Sequence, residues 1–267
     1  MIKQSKKKRS MWYIFLLPAT FFLVVLGIVF YFRFDPSLLT KLSFYVNLAN
    51  PYMRIVKVNE GLRKEEVAEV VGERLDWNEE DKENFINIAN VEGYYFPKTY
   101  LIYKDEDPSV VIATMVEEFD KAVSKVKKPK SKQIISEDTI VKIASIIQRE
   151  AAGKGDMALI SGIIWNRIFN GMKLQMDATL QYAKGSEEEG WWERVTPEDK
   201  KIKSAYNTYI HTGLPPGAIA NPGLAAISAA FNPQKTECLF YLHDRNRQIH
   251  CSRTYEEHKK NIDIYLK

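Results

Sequence analysis

The chain of 267 residues has only two cysteines and four histidines. Two thiols are too few for a zinc site, and the histidines lack the spacing of metal ligands, so we expect no metal and no other cofactor. Two cysteines also do not make the disulfide framework of a small secreted domain. Cys238 and Cys251 lie in strand-like stretches that flank a turn at residues 244–247. They are predicted to be neighbours across a hairpin, either as a disulfide or as two free buried thiols.

The chain also has little net charge outside its first ten residues. It holds 38 basic and 34 acidic residues, and five basic residues with no acid fall within residues 1–10, which leaves 33 against 34 in the remainder. A near-neutral body lacks the basic surface that binds a phosphate backbone. We therefore expect no nucleic acid among its partners.

Apolar sequence, in contrast, is plentiful. Hydrophobic residues make up 45% of the chain and aromatic residues 12%, which excludes a disordered scaffold. After subtraction of a membrane segment, the length fits one ordinary domain and a second, small one.

The membrane segment is predicted at residues 12–32, which begin at Trp12, end at Phe32 and contain no charge. This length crosses a bilayer, and aromatic residues stand at both ends. The basic tail at residues 1–11 is expected to stay in the cytoplasm, so the body lies on the outer side of the cell membrane. The alternative is a cleavable signal peptide, but its apolar region is about 7–15 residues long and precedes a small-residue cleavage site. No such site follows here, so we predict a retained single-pass anchor.

Behind the anchor, the sequence divides into a tether and two folded regions. Residues 33–53 have the character of a tether, and residues 54–90 are typical of a small strand–helix–helix unit. Residues 91–267 are mainly helical and end in a β-hairpin, with a proline- and glycine-rich loop at residues 213–223 that can form neither helix nor central strand. The predicted fold class is α+β, with an N-terminal transmembrane helix, a small α+β module and a mainly helical domain.

One carboxylate stands where a predicted helix is otherwise apolar. Residues 136–152 are typical of an amphipathic helix with Ser136 as its N-cap. Glu150 lies on the apolar arc, one turn after two isoleucines. Burial against apolar groups raises the pKa of a carboxyl and keeps it protonated, as a general acid requires. The alternative is a Glu at a helix end that turns to water or pairs with Arg149 or Arg167.

Four segments carry motifs in a recognisable order. They read VEGYYFPKTY at 91–100, ASIIQREAA at 144–152, IWNRIFNGMKLQMDAT at 164–179, and AYNTY followed by TGLPPGAIANPG within 205–223. The ending TYEEH at 254–258 fits the same pattern. Together these motifs resemble the YceG-like endolytic murein transglycosylase family from about residue 54 to the C-terminus. The resemblance implies that residues 54–90 form a reduced LysM-like module and residues 91–267 the catalytic domain.

The resemblance also implies an activity. Members cleave the β-1,4 bond between N-acetylmuramic acid and N-acetylglucosamine in nascent peptidoglycan glycan strands. The products carry 1,6-anhydro ends, and strand elongation is terminated. Glu150 would protonate the glycosidic oxygen and then, as a base, help the muramyl 6-hydroxyl attack C1. The implied partners are the glycan strands, the cell membrane and peptidoglycan synthases or division proteins.

Two positions depart from the family pattern. Many relatives carry two acids in the stretch that matches residues 148–150, but here the first is Gln148, so Glu150 is the acid left to carry the catalytic role. The usual Asp-Pro-Thr is replaced by Asp177, Ala178 and Thr179.

Other motif residues are predicted to bind substrate. They are Glu92, Asn166, Arg167, Gln175, Asp177, Tyr206, Asn207 and Tyr209. Each has a structural alternative: the acids can cap helices or pair with arginine, and the tyrosines can pack in the core. We expect no role in the chemistry for His258 or the other histidines.

Two other functions remain open. A non-catalytic wall-binding or division scaffold would use the LysM-like module and the anchor, but it has no use for an acid on an apolar helix face. A hydrolytic muramidase would combine Glu150 with Asp177 as a second carboxylate. The chemistry of the product separates this second possibility from a transglycosylase.

Overall fold

The computed structural model describes residues 20–25, 27, 43, 46–88, 92–129 and 135–267. The chain divides into two compact units, Met1–Met53 and Arg54–Lys267. In the first unit, residues 20–25 and 46–48 are helical. No helix among the described residues is long and apolar enough to span a membrane. The predicted span at residues 12–32 lies outside the described residues except for 20–25 and 27.

The second unit begins with two strands that enclose two helices in the chain order. Strand β1 (Met53–Lys57), helices α1 (Lys64–Leu75) and α2 (Glu79–Asn87) and strand β2 (Thr99–Tyr103) follow in order. The two strands pair in a two-stranded sheet. Helix α2 begins where it does because the side chain of Asn78 accepts a hydrogen bond from the Asp81 N–H at 2.9 Å.

These elements share one hydrophobic core with the helix that follows, α3 (Pro108–Val123). The core consists of Val56, Val58, Val67, Ala68, Val71, Leu75, Phe85, Tyr95, Tyr100, Ile102, Val111, Ile112 and Met115. Its side chains come from both sides of residue 90, so a domain boundary there remains a prediction.

The second core is built around helix α4 (Glu137–Glu150). The side chain of Ser136 accepts from the Thr139 N–H at 3.2 Å, which confirms the predicted N-cap. Helices α5 (Met157–Phe169), α6 (Asp177–Lys184) and α7 (Leu224–Phe231) pack against α4. The predicted apolar arc is confirmed, since all the isoleucines of α4 are buried. The core therefore holds α4 so that its last turn, with Glu150, reaches a cleft.

The C-terminal part is a hairpin covered by a helix. Strands β3 (Phe240–His243) and β4 (Ile249–Ser252) are antiparallel, with Tyr241 opposite Cys251. Cys238 and Cys251 form a disulfide, so the structure decides between the two possibilities left by the sequence. Helix α8 (Tyr255–Tyr265) packs on both strands. The mixture of helices and small sheets agrees with the predicted α+β class.

Candidate active site

Three elements converge on the carboxyl of Glu150, the last residue of α4. Its Oε1 accepts a hydrogen bond from the Ala178 N–H at 3.1 Å, in the first turn of α6. Its Oε2 accepts from the hydroxyl of Tyr241 on β3 at 2.6 Å. The positive end of the α6 dipole and two donors thus meet one carboxyl, which fixes its orientation.

The surroundings of this carboxyl raise its pKa above the ordinary value for Glu. Burial is the largest cause because it disfavours the charged form, and the neighbouring charge of Asp177 acts in the same direction. The hydrogen bonds from Tyr241 and Ala178, and then the charge of His243, lower the pKa by smaller amounts. Glu150 therefore stays protonated to a higher pH than a surface carboxyl does. When it ionises, the hydrogen bonds from Tyr241 and Ala178 stabilise the carboxylate.

Glu150 opens onto a cleft of about 410 Å³. The lining combines polar, charged and aromatic groups from α5, α6, the hairpin and α8: Arg167, Gln175, Met176, Asp177, Lys200, Tyr209, Phe240, Tyr241, Tyr255, His258 and Ile262. Concave sites with aromatic walls and a few convergent polar groups are typical of small-molecule binding sites. The cleft contains four of the predicted substrate-binding residues.

Those four are Arg167, Gln175, Asp177 and Tyr209. The hydroxyl of Tyr209 donates to Asp177 Oδ1 at 2.5 Å. The Gln175 N–H donates to the carbonyl of Thr208 at 3.1 Å, and the backbone at Gln175 is left-handed, with φ 51°. The turn around Thr208 is thus tied to the segment that enters α6, and the two segments form one wall of the cleft.

Asn207 and Tyr206 do not line this cleft. The Asn207 side chain is fully buried and donates to the carbonyls of Lys200 (3.2 Å) and Ile202 (2.8 Å). Tyr206 packs against Tyr182, with ring centroids 4.8 Å apart. The Asn207 side chain orders the turn that carries Tyr209, because its Oδ1 accepts from the Tyr209 N–H at 2.9 Å. Contact of Tyr206 and Asn207 with substrate stays a prediction.

Glu92 lies in a second cleft of about 410 Å³, which Tyr182 and Tyr206 also line. Its carboxyl accepts from the Lys64 N–H at 3.1 Å and from Asn221 Nδ2 at 3.1 Å. Burial raises its pKa to about 7. Glu92 and Glu150 line different clefts. The Glu92 carboxyl joins the start of α1 to the proline- and glycine-rich loop, and its contact with substrate stays a prediction.

Asn166 and Arg167 hold the segment that leads into β3. Asn166 Nδ2 donates to the carbonyls of Thr236 (2.8 Å) and Cys238 (3.1 Å). Arg167 Nε donates to the carbonyl of Leu239 at 2.6 Å, and its Nη1 donates to the carbonyl of Leu174. Arg167 therefore lines the cleft and also positions the hairpin. Asn166 positions the hairpin but does not line this cleft.

The neighbours of Glu150 in α4 face other partners. Gln148 Oε1 accepts from the Gly223 N–H at 3.0 Å. The guanidinium of Arg149 lies 3.6 Å from the ring centroid of Trp192, and its Nη1 donates to the carbonyl of Gly61 at 3.2 Å. Among the described residues, neither Arg149 nor Arg167 forms a salt bridge with Glu150: Arg149 bonds to Gly61, and Arg167 to the carbonyls of Leu239 and Leu174. The ion pair that was one alternative to a catalytic acid is not present.

The role of Tyr241 beside Glu150 was not predicted from the sequence. Its place in a hairpin was predicted, but no local pattern indicated which helix end its hydroxyl would meet. Within the described ranges, no group of three or more His, Cys, Asp or Glu side chains could hold a metal ion.

We expect Tyr241→Phe to reduce kcat at least about tenfold, because a hydrogen bond to a charged group contributes about 1.5–3 kcal/mol. The Tyr241 hydroxyl stabilises ionised Glu150, so its removal raises the pKa of Glu150 further. The alkaline limb of the kcat/KM profile, which follows loss of the Glu150 proton, should move to higher pH. Tyr103→Phe, an exposed tyrosine on β2, is the matched control. An unchanged alkaline limb in Tyr241→Phe would contradict this role.

Comparison with known proteins assigns the chain to a family. The family model described as "YceG-like family" matches residues 31–264. An "Endolytic murein transglycosylase" of Bacillus subtilis (strain 168) is 31% identical over 245 residues, which are 82% of this chain and 67% of that protein. A protein of the same name from Streptococcus pneumoniae serotype 2 (strain D39) is 30% identical over 175 residues, 64% of this chain but 32% of its own length.

A solved structure gives the same result. The crystal structure of a YceG-like protein from Listeria monocytogenes superposes with a TM-score of 0.68 and 27% identity, over 79% of this chain and 76% of that one. With the family model matching most of its length, this chain belongs to the YceG-like family.

Proposed function

We propose that the chain is an endolytic murein transglycosylase that cleaves the β-1,4 bond between N-acetylmuramic acid and N-acetylglucosamine in glycan strands. The observation that carries the proposal is the carboxyl of Glu150, which is held by Tyr241 and Ala178 at a polar, aromatic cleft and has a raised pKa. The names of the Bacillus and pneumococcal relatives support the same activity.

The proposed reaction needs one acid that becomes a base. Glu150 gives its proton to the glycosidic oxygen as the bond from that oxygen to C1 breaks and the electron pair leaves with the oxygen. The ionised carboxyl is then stabilised by the hydroxyl of Tyr241 and the N–H of Ala178. It takes the proton of the muramyl 6-hydroxyl as that oxygen bonds to C1. Glu150 is thereby restored, and no water enters the product.

Asp177 supports a second candidate, a hydrolytic muramidase. It lines the same cleft as Glu150 and is exposed, so it could activate water as the second carboxylate of a hydrolase. Against this role, one of its oxygens already accepts the Tyr209 hydroxyl at 2.5 Å. We favour the transglycosylase because Asp177 is engaged in building the cleft wall.

The cellular setting is part of the proposal. Residues 12–32 would anchor the chain in the cell membrane, with residues 1–11 in the cytoplasm and the catalytic domain on the outer side. The order β1–α1–α2–β2 with paired strands supports a LysM-like module near the start of the body. In this setting the enzyme would act on nascent strands beside peptidoglycan synthases or division proteins, and it would terminate their elongation.

The products of purified full-length enzyme on purified glycan strands test the proposal. After borohydride treatment, mass spectrometry should find new muramyl ends that resist reduction. They should be lighter than a borohydride-reduced hydrolytic end by one water and two hydrogens, roughly 20 mass units. Glu150→Gln provides the blank, because it retains the cleft without the proton. New ends that borohydride reduces would favour the muramidase, and no new ends at all would favour the non-catalytic scaffold.

A further inference from the structure

His258 lies on α8 and forms part of the wall of the Glu150 cleft. Its ring stacks on Phe240, with ring centroids 5.6 Å apart and planes at 26°. Helix α8 packs on both strands of the hairpin that also carries Tyr241. The imidazole is therefore fixed in place against the hairpin whose residue Tyr241 donates to the carboxyl of Glu150.

The two ring nitrogens of His258 have different surroundings. Nδ1 is enclosed and has no hydrogen-bond partner among the described residues. Nε2 has no partner there either, but it is not enclosed. An enclosed N–H without an acceptor is rarer in proteins than an enclosed acceptor without a donor. The tautomer with its proton on Nε2 is therefore favoured, and its N–H is available to the cleft.

The ring is also held neutral. Burial is the larger cause that lowers the pKa of His258, and the charge of Arg167 lowers it further. A neutral donor is compatible with cleavage of a glycosidic bond, since the transition state develops positive charge at the sugar ring that an imidazolium would oppose. The oxygens of an amino sugar are the acceptors that such a donor would meet in this cleft.

We propose that His258 is a substrate-binding residue whose Nε2–H donates a hydrogen bond to an oxygen of the amino sugar bound beside Glu150. This inference rests on the proposed function, because it names a contact with that substrate. It gives His258 a contact with substrate, a role that was not predicted from the sequence. The free nitrogen, its cleft and its fixed ring together carry the proposal.

Three variants of the full chain separate binding from packing. The amide nitrogen of Gln can reach the position of Nε2, the amide nitrogen of Asn reaches only that of Nδ1, and Phe retains the ring without a donor. We expect His258→Gln to keep KM for glycan strands within about threefold of wild type. His258→Asn and His258→Phe should raise KM about tenfold, the loss expected for one hydrogen bond, with kcat little changed.

The opposite order of KM values among these variants would overturn the inference. If the ring only packs on Phe240, His258→Phe will keep the wild-type KM and His258→Gln will not. Thermal unfolding of each variant identifies a KM change that follows from loss of structure. Because these comparisons use the KM of variants that all cleave, they are independent of whether the product is anhydro or hydrolytic, which tests the proposed function separately.

A second measurement does not depend on a His258 variant. Ring ¹⁵N signals of His258 in the Glu150→Gln protein should show the tautomer with its proton on Nε2. Addition of a tetrasaccharide of alternating N-acetylglucosamine and N-acetylmuramic acid should shift the Nε2 signal. A proton on Nδ1, or a Nε2 signal that saturating tetrasaccharide leaves unchanged, would contradict the proposal.

Discussion

Glu150→Gln is expected to abolish glycan cleavage while the protein folds normally. The amide has nearly the shape of the carboxyl but no proton to give, and general acid–base catalysis contributes roughly 10²–10⁴-fold. The Gln carbonyl oxygen can still accept from the Ala178 N–H, and its amide nitrogen can donate to the Tyr241 hydroxyl, which also accepts, so stability should change little. Release of soluble fragments from purified glycan strands measures the loss.

Glu137→Gln is the matched control, because Glu137 is an exposed carboxylate in the first turn of the same helix. It should cleave at the wild-type rate. Near wild-type turnover by Glu150→Gln would show that Glu150 is not the general acid.

Gly162→Ala is expected to have the largest effect on stability. Gly162 lies in α5, where a Cβ would collide with the backbone carbonyl oxygen of Gln234. The segment that begins at Gln234 leads into β3, so it must shift away from α5. Overpacking of this kind costs about 3 kcal/mol when backbone has to move. Chemical denaturation should show this loss, and the displaced hairpin should also lower activity through Tyr241.

Ser161→Ala is the control for this prediction. The Ser161 hydroxyl is buried and has no hydrogen-bond partner among the described residues. Its removal should therefore leave stability within about 1 kcal/mol or raise it, because an unpaired buried hydroxyl is destabilising. If both variants have the same free energy of unfolding, the close approach of α5 to the segment at Gln234 is not the reason that residue 162 must be glycine.

Helix α4 was predictable from sequence because its determinants are local. The N-cap at Ser136 and the apolar arc follow from residue spacing alone, and Glu150 stands out as the polar member of that arc. The hairpin was predictable for the same reason, since strand-like stretches flank a turn. The paired cysteines were placed as neighbours, but the spacing did not decide between a disulfide and free thiols.

The partners of Glu150 were not predictable, because they depend on packing between distant segments. Tyr241 is 91 residues from Glu150 in sequence, and the contact requires α5 to hold the segment before β3. Asn207 and Glu92 stand in motifs like those of the cleft residues, yet their side chains bond to backbone and to Asn221. A motif does not distinguish a residue that touches substrate from one that shapes the loop beside it.

Cleavage in water enriched in ¹⁸O tests the central claim most directly, because the two mechanisms differ in the origin of one oxygen atom. If the muramyl 6-hydroxyl attacks C1 with Glu150 as the base, no solvent oxygen enters the new muramyl end, and its mass will be the same in ordinary and enriched water. If Asp177 activates water instead, every new muramyl end will carry solvent oxygen. Incorporation of ¹⁸O at that end would contradict the transglycosylase mechanism and leave Glu150 as the acid of a hydrolase.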